Sequence, residues 1–270
     1  MINNLQDKVA VITGGAGGIG MALARAALDS GMKVAIADIS QQHLDKALDE
    51  LEGGENLIAL VCDVANLASN EQLAAQVESH FGAIHLVCLN AGMGRLRPLQ
   101  DVPESEWAQQ IGVNLNGPFF GARAFLPYLE KQAESHIVIT ASVMSLFSAQ
   151  MMGPYYATKA GVLSLAEGLY FDLQAAGSAV GVSALMPGDT RTNAVLNSIT
   201  EDTDPEVAQA AADELANATP PSVVARGVLQ AVTEGRFYIL PNPGSYWSII
   251  DARMARMRAG ENPRVDYDTV

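Results

Sequence analysis

Val9-Ala10-Val11-Ile12-Thr13-Gly14-Gly15-Ala16-Gly17-Gly18-Ile19-Gly20 passes from a short apolar run into a cluster of glycines. An apolar run of this length closed by glycine reads as a buried parallel strand. Helical periodicity follows from Met21 to Ser30, and Gly31 is placed to stop it. A glycine-rich turn between strand and helix permits a tight bend. It also lets the backbone approach a pyrophosphate at the helix N-terminus, where unpaired N–H groups and the dipole favour an anion. Two registers fit, Gly14-x3-Gly18-x-Gly20 and Gly15-x-Gly17-x2-Gly20. No Lys-Ser/Thr pair follows, which argues against a phosphate-loop nucleotide hydrolase.

Working outward, the same alternation repeats. Lys33–Asp38 reads as a strand, Gln41–Leu51 as a helix, Leu57–Cys62 as a strand and Leu67–Phe81 as a helix. Ile84–Leu89 is the next strand. Two helical stretches follow Pro103, the second starting near Val113. Then come strand Ile137–Ala141, a long helix Pro154–Gly177, strand Val180–Met186, a helix from Ser222 to about Glu234 and a short strand Phe237–Leu240. Strands alternating with helices of this length indicate βαβ units. Right-handed crossovers then place helices on both faces. The expectation is a single α/β domain over residues 1–270, a doubly wound Rossmann-type parallel sheet of about seven strands. Residues 193–220, polar, Ala-rich and strandless, form a separate segment, and residues 241–270 a tail with a helix over Tyr246–Arg258.

The 270 residues, 49% hydrophobic and 17% charged, describe an ordinary soluble chain. No apolar run reaches the ~20 residues of a membrane span, and the first residues lack the pattern of a secretory signal. Cys62 and Cys88 both lie in strand-like runs, which reads as core thiols in a reducing cytoplasm and not as a metal site. A formal charge of −14 argues against nucleic acid and anionic membranes as partners.

Asp38 ends the second strand, 18 residues after Gly20. An acid there accepts hydrogen bonds from adenosine ribose hydroxyls and repels a 2′-phosphate. With no basic residue in the glycine loop, NAD is expected over NADP. The plainer alternative is Asp38 as a helix N-cap. Asp63 after the third strand suits an adenine edge, and Asn90-Ala91-Gly92 could bring backbone close to a ribose. All of these fall at carboxyl ends of successive strands, where ligands bind in such sheets.

Tyr155 and Lys159 are four residues apart, one above the other on a helix. A free phenol ionises at about 10, too high for a base near neutral pH. A neighbouring cation lowers that value. Tyr156 has Ala160 at the corresponding position, so Tyr155 is the candidate.

Thr13-Gly14-x3-Gly18-x-Gly20, Asn90-Ala91-Gly92, Asn114, Ser142, Tyr155-x3-Lys159 and Pro187-Gly188 with Thr192, in this order and with 13 residues from Ser142 to Tyr155, resemble the short-chain dehydrogenase/reductases of compact, single-domain type. The resemblance spans residue 5 to about 240. It implies hydride transfer between NAD and a small alcohol or ketone, with Tyr155 as general base in oxidation. It implies that Lys159 lowers the Tyr155 pKa and binds the nicotinamide ribose, that Ser142 hydrogen-bonds the substrate oxygen, and that Asn114 holds a water in a proton relay. Cofactor contacts implied on the same basis are Gly14, Gly17, Gly18, Ile19, Gly20, Asp38, Asp63, Val64, Asn90, Ala91, Gly92, Tyr155, Lys159, Pro187, Gly188, Thr190 and Thr192, and residues 193–220 would be the substrate lid. Thr190 stands where the family often has a branched apolar residue, and Leu89 where many relatives have a second Asn. Taken singly, Asn114 also reads as a buried amide satisfied by backbone, and Ser142 as a strand-end turn residue.

Met144, Leu146, Phe147, Met151 and Met152 would make an apolar mouth for a hydrophobic or aromatic secondary alcohol, or would simply pack beneath the lid. Ile111–Gly117 and Phe237–Pro241 resemble Cα-dehydrogenases acting on lignin-type aryl alcohols. Apolar surface on more than one side of the helices over 113–132 and 154–176 fits a homotetramer or homodimer. The competing expectations are a non-catalytic NAD-binding regulator and an NAD-using isomerase or dehydratase.

Overall fold

The computed structural model describes residues 2–192, 198, 199, 203, 205, 206, 209, 213, 215, 218–242, 244 and 246–264. Seven parallel strands form one sheet in the order β3-β2-β1-β4-β5-β6-β7. They are β1 (Val9–Thr13), β2 (Lys33–Asp38), β3 (Leu57–Val61), β4 (Leu86–Leu89), β5 (Ser135–Thr140), β6 (Val180–Leu185) and β7 (Tyr238–Ile239). The strand order reverses between β1 and β4. That is the switch point at which such sheets open a crevice at their carboxyl edge.

Strand side chains alternate between the two faces, and both faces are covered. Val9, Val11, Ala35, Val87 and Ile139 pack against α3 (Leu67–Phe81), α5 (Gly117–Leu129) and α6 (Gly153–Ala175). Ala10, Ile12, Val34, Ile36 and Val138 pack against α1 (Gly18–Asp29), α2 (Gln41–Leu51) and α7 (Pro221–Glu234). Burial on both faces accounts for the near-continuous apolar strands. Cys62 and Cys88 are buried and unbridged.

Several ends shift by one or two residues from the sequence reading, β4 for instance starting at Leu86 rather than Ile84, and three departures have a visible cause. Helix α1 starts at Gly18 rather than Met21, because Gly17 and Gly18 supply the extended and left-handed turn that leads into it. β5 starts at Ser135, two residues early, since Ser135 and His136 already pair with β6 and are buried. The two helices expected after Pro103 are joined. Helix α4 (Glu104–Ile111) runs through a π-helical turn, Gly112–Asn116, straight into α5. Such turns hold one residue more than α-geometry and re-aim a side chain, here that of Asn114. The expected lid, 193–220, lies mostly outside the described residues. The tail does form a helix, α8 (Tyr246–Ala259). No helix among the described residues is long and apolar enough to cross a membrane.

Candidate active site

The expected site residues gather along the carboxyl edge of the sheet. At the end of β1, Gly14 adopts φ +63°, and a Cβ there would lie 2.9 Å from Ala91 Cα. A Cβ on Gly20 would lie 2.1 Å from the Gly14 carbonyl oxygen. Both positions therefore require glycine for the close turn. Gly17 differs, for a Cβ there would meet nothing within 4 Å. Gly17 caps α1 with no side-chain hydrogen bond, and the first turn carries no acid. The helix N-terminus thus presents its N–H groups to open space, as an anion cradle requires. Ile19 follows on the first turn of α1 and packs against the apolar cluster of that sheet face.

Thr13 holds this loop to the end of β4. Its hydroxyl accepts from Asn90 N at 2.9 Å and Ala91 N at 3.2 Å and donates to the Cys88 carbonyl. Asn90 Nδ2 returns a bond to the Thr13 carbonyl at 3.1 Å. Val64, Ala91, Val113 and Gly117 line a crevice beside Thr13.

Asp38 closes β2, and its Oδ1 accepts from Ser40 N at 3.2 Å. The N-cap of α2 is Ser40, so the capping alternative for Asp38 falls away. Asp63 makes an equivalent turn, accepting from Ala65 N at 3.0 Å.

Lys159 is buried, and its Nζ donates to the Thr140 carbonyl at the end of β5 at 2.9 Å. Gly92 lies beside it, since a Cβ there would be 3.3 Å from Lys159 Nζ and 3.5 Å from Asn114 Oδ1. Asn114 is fully engaged. Its Oδ1 accepts from Met93 N and its Nδ2 donates to Met93 O, each at 2.8 Å, with a further bond to Thr158 Oγ1 at 3.1 Å. These bonds match the backbone-satisfied reading of Asn114, and they pin the loop after β4 to the π-turn.

Ser142 begins a 3-10 turn after β5. Its Oγ accepts from Met144 N, and its own N–H donates to Ser145 Oγ, each at 3.2 Å. Ser145 Oγ in turn donates to the Lys159 carbonyl at 2.9 Å. The Ser142 side chain also lies near enough to the Tyr155 hydroxyl to favour its ionised form. Tyr156 turns the other way, into a cluster with Val143 and Phe147.

Burial pushes the Tyr155 phenol above its ordinary value, and the nearby Ser142 side chain offsets this only in part. Burial also brings the Lys159 ammonium down to about 8. The ammonium sits 5.6 Å from the centre of the Tyr155 ring and is turned toward Thr140. Within the protein's own groups, desolvation therefore outweighs the cation.

On the far side, Gly18 (φ +51°) faces Thr192, whose Cβ and Cγ2 would be 3.2 Å from a Cβ on Gly18. The segment Pro187 to Thr192 thus lies across the glycine turn. Pro187 O accepts from Val143 N at 3.0 Å, and Thr190 Oγ1 donates to Gly188 O at 2.9 Å. The capless helix start, the open Gly17, Asp38, Gly92 beside Lys159 and Thr192 over Gly18 together fit a dinucleotide.

Residues 8–203 match the family model described as short chain dehydrogenase. The chain belongs to the short-chain dehydrogenase family. It is similar, at 35% identity and a TM-score of 0.89, to the crystal structure of a short-chain dehydrogenase/reductase from Burkholderia phymatum in complex with NAD, covering 98% of this chain and 99% of that one. A CLA biosynthesis dehydrogenase/reductase of Lactiplantibacillus plantarum is 28% identical over 98% of both chains. A C alpha-dehydrogenase of Sphingobium sp. is 33% identical over 71% of this chain and 63% of its own length. Like its relatives, the chain is a Rossmann-type oxidoreductase.

Several residues went unassigned in the sequence. Thr13 was visible within the motif but had no role, whereas its hydroxyl joins β1 to β4. Ser145 was signalled by the Ser142-x-x-Ser145 capping spacing. Thr140 and Thr158, which hold Lys159 and Asn114, carried no local signal.

Proposed function

We propose that the protein is an NAD-dependent oxidoreductase that interconverts a hydrophobic or aromatic secondary alcohol and its ketone. The observation that carries this reading is the buried Lys159, one helical turn from Tyr155, with its Nζ 5.6 Å from the centre of the phenol ring and anchored on the Thr140 carbonyl at 2.9 Å. Gly14, Gly17, Gly18 and Gly20 would hold the pyrophosphate against α1. Asp38 would take the ribose hydroxyls, and Asp63, Val64 and the Asn90–Gly92 backbone the rest of the adenosine half. Lys159 and the segment from Pro187 to Thr192 would hold the other half. NAD, when bound, supplies the hydride acceptor and, in its oxidised form, a positive charge near the phenol.

The chain's own residues do the rest. Ser142 holds the substrate oxygen. Tyr155 takes the hydroxyl proton as the carbinol C–H bond is cleaved, and returns it in the reductive direction. Its raised pKa keeps it protonated until a positive charge lies nearby, which ties the base to a loaded site. Asn114 fixes the Met93 loop that borders Lys159, and that support is the role its bonds favour. A regulator that only sensed NAD would need no such set. Gly94 lies between Met152 and the Tyr155 ring, since a Cβ on Gly94 would be 2.9 Å from Met152 Cε and 3.3 Å from Tyr155 Cδ2. Two apolar neighbours there support an apolar substrate. The Sphingobium relative's name makes aryl alcohols the first class to try. The two buried, unbridged cysteines support a cytoplasmic location.

A panel of aryl and alkyl secondary alcohols with NAD, followed by NADH formation, tests the reading. Tyr155→Phe should lower kcat by about 10²–10⁴-fold and leave NADH binding intact. Full turnover in that variant would overturn the assignment.

A further inference from the structure

Tyr246 and Asn242, outside every motif of the catalytic set, converge on the segment that follows β6. The Tyr246 hydroxyl donates to Asp189 Oδ1. Asn242 Nδ2 donates to the Asp189 carbonyl at 2.8 Å, while Asn242 Oδ1 accepts from Gly188 N at 3.1 Å. The approach leaves no slack, since a Cβ on Gly188 would lie 2.5 Å from Asn242 O and 3.2 Å from Tyr246 Cε2. The same tail grips the turn after β5. The Tyr246 ring stacks on Phe147 at 5.5 Å with an interplanar angle of 21°, and Arg253 Nη1 donates to the Leu146 carbonyl at 3.1 Å. Tyr246, Ile249 and Ile250 form an apolar cluster with Val143, Phe147 and Tyr156, distinct from the two sheet-face clusters.

We propose that Tyr246 and Asn242 are positioning residues that lock the segment from Pro187 to Thr192 for the nicotinamide half of the cofactor. The proposal rests on the dinucleotide reading given above. Asp189 and its neighbours lie beyond the end of β6, outside the sheet's ladder, and are held besides by the bridge from Thr190 to Thr219, backbone bonds to Thr219, Arg191 on the Ala218 carbonyl and Val143 N on the Pro187 carbonyl. A segment already held in place loses less freedom when a ligand binds it. The latch holds the segment at Gly188 and Asp189. The contact between Thr192 and Gly18 seats its far end on the pyrophosphate turn. One side of the latch also reaches Ser142 through the Val143–Pro187 hydrogen bond and the Phe147 stack, so it sets the spacing between the two loops.

Two variants separate this role from general support. Tyr246→Phe keeps the ring that stacks on Phe147 and removes the donor to Asp189. Asn242→Asp keeps an acceptor for Gly188 N and removes the donor to the Asp189 carbonyl. Binding of NADH by fluorescence is compared with binding of ADP-ribose, which lacks the nicotinamide, by calorimetry. Each variant should weaken NADH binding by about three- to tenfold, the scale of one lost hydrogen bond, and leave ADP-ribose binding unchanged. The double variant should fall short of the product of the two. NADH affinity equal to wild type in both variants, or NADH and ADP-ribose affinities that fall together, would overturn the proposal while leaving the dinucleotide reading intact. Wild-type protein that binds neither ligand would overturn both.

Discussion

Lys159 carries its ammonium into a site where the residue is 3% exposed, and there its Nζ donates to the Thr140 carbonyl at 2.9 Å. Its pKa falls from 10.5 to about 8 because burial disfavours the charge. Between those values the unfolded chain binds the proton and the folded chain does not, so stability rises with pH across that window. Below pH 8 both states are protonated and the folded state carries the whole cost, about 3 kcal/mol at ~1.36 kcal/mol per pH unit. Lys159→Met should therefore be more stable than wild type at pH 7 by roughly 2–3 kcal/mol. Urea unfolding at pH 7 and pH 10 checks this, with the advantage shrinking at the higher pH. An advantage that does not depend on pH would show that charge burial is not its source. Tyr155 belongs to the same ledger of burial. Helical spacing alone led to an ammonium beside a phenol, but it could not say that Thr140 would claim the ammonium or that desolvation would hold the phenol up.

The strands were legible because two buried faces leave an almost unbroken apolar run, bounded by glycine or a polar residue. Asp38, Asn90 and Ser142 were legible as candidate site residues for the same reason, being polar groups where those runs end. The π-turn at Gly112–Asn116 was not, because an added residue inside a continuous helix leaves an apolar period close to 3.6. The helix of the tail was legible but its contact with Asp189 was not, since Tyr246 meets Asp189 across 57 positions and neither residue carries local information about the other. At the opposite edge of the sheet, β5 holds His136, 1% exposed, with Nε2 2.7 Å from Ser183 Oγ. Ser183 donates to the Arg236 carbonyl, which assigns the histidine proton to Nε2. Nδ1 has no hydrogen-bond partner, so a second proton would be buried without an acceptor, and burial lowers the pKa from 6.5 to about 3. From pH 6.5 down to 3 the unfolded chain binds a proton that the folded chain refuses. Stability is then lost at about 1.4 kcal/mol per pH unit as pH falls. His136→Gln should flatten the slope of unfolding free energy between pH 6 and 4 by close to one proton. An unchanged slope would place the acid sensitivity elsewhere.

For the molecule as a whole, the −14 charge opposes adventitious clustering, yet large apolar side chains stand in solvent on one side. Phe119 on α5 is 48% exposed and Phe171 on α6 is 65% exposed. Both helices cover the same face of the sheet, so these rings are available to a second copy of the chain. Sedimentation should show a dimer or tetramer, and Phe171→Glu should shift it toward smaller species. A wild-type monomer at micromolar concentration would remove the oligomer from the description. The latch on Asp189 has a further consequence, one of timing. A chain made from its N-terminus completes Gly14 to Gly92 early, but Asn242 and Tyr246 are added about 150 residues later, on the order of 10–30 s at ordinary translation rates. During that interval the nascent polypeptide carries the glycine turn, Asp38 and Asn90 and lacks both α7, which packs with α1, and the brace on Asp189. Completion of both halves of the crevice therefore waits for Asn242 and Tyr246 to leave the ribosome.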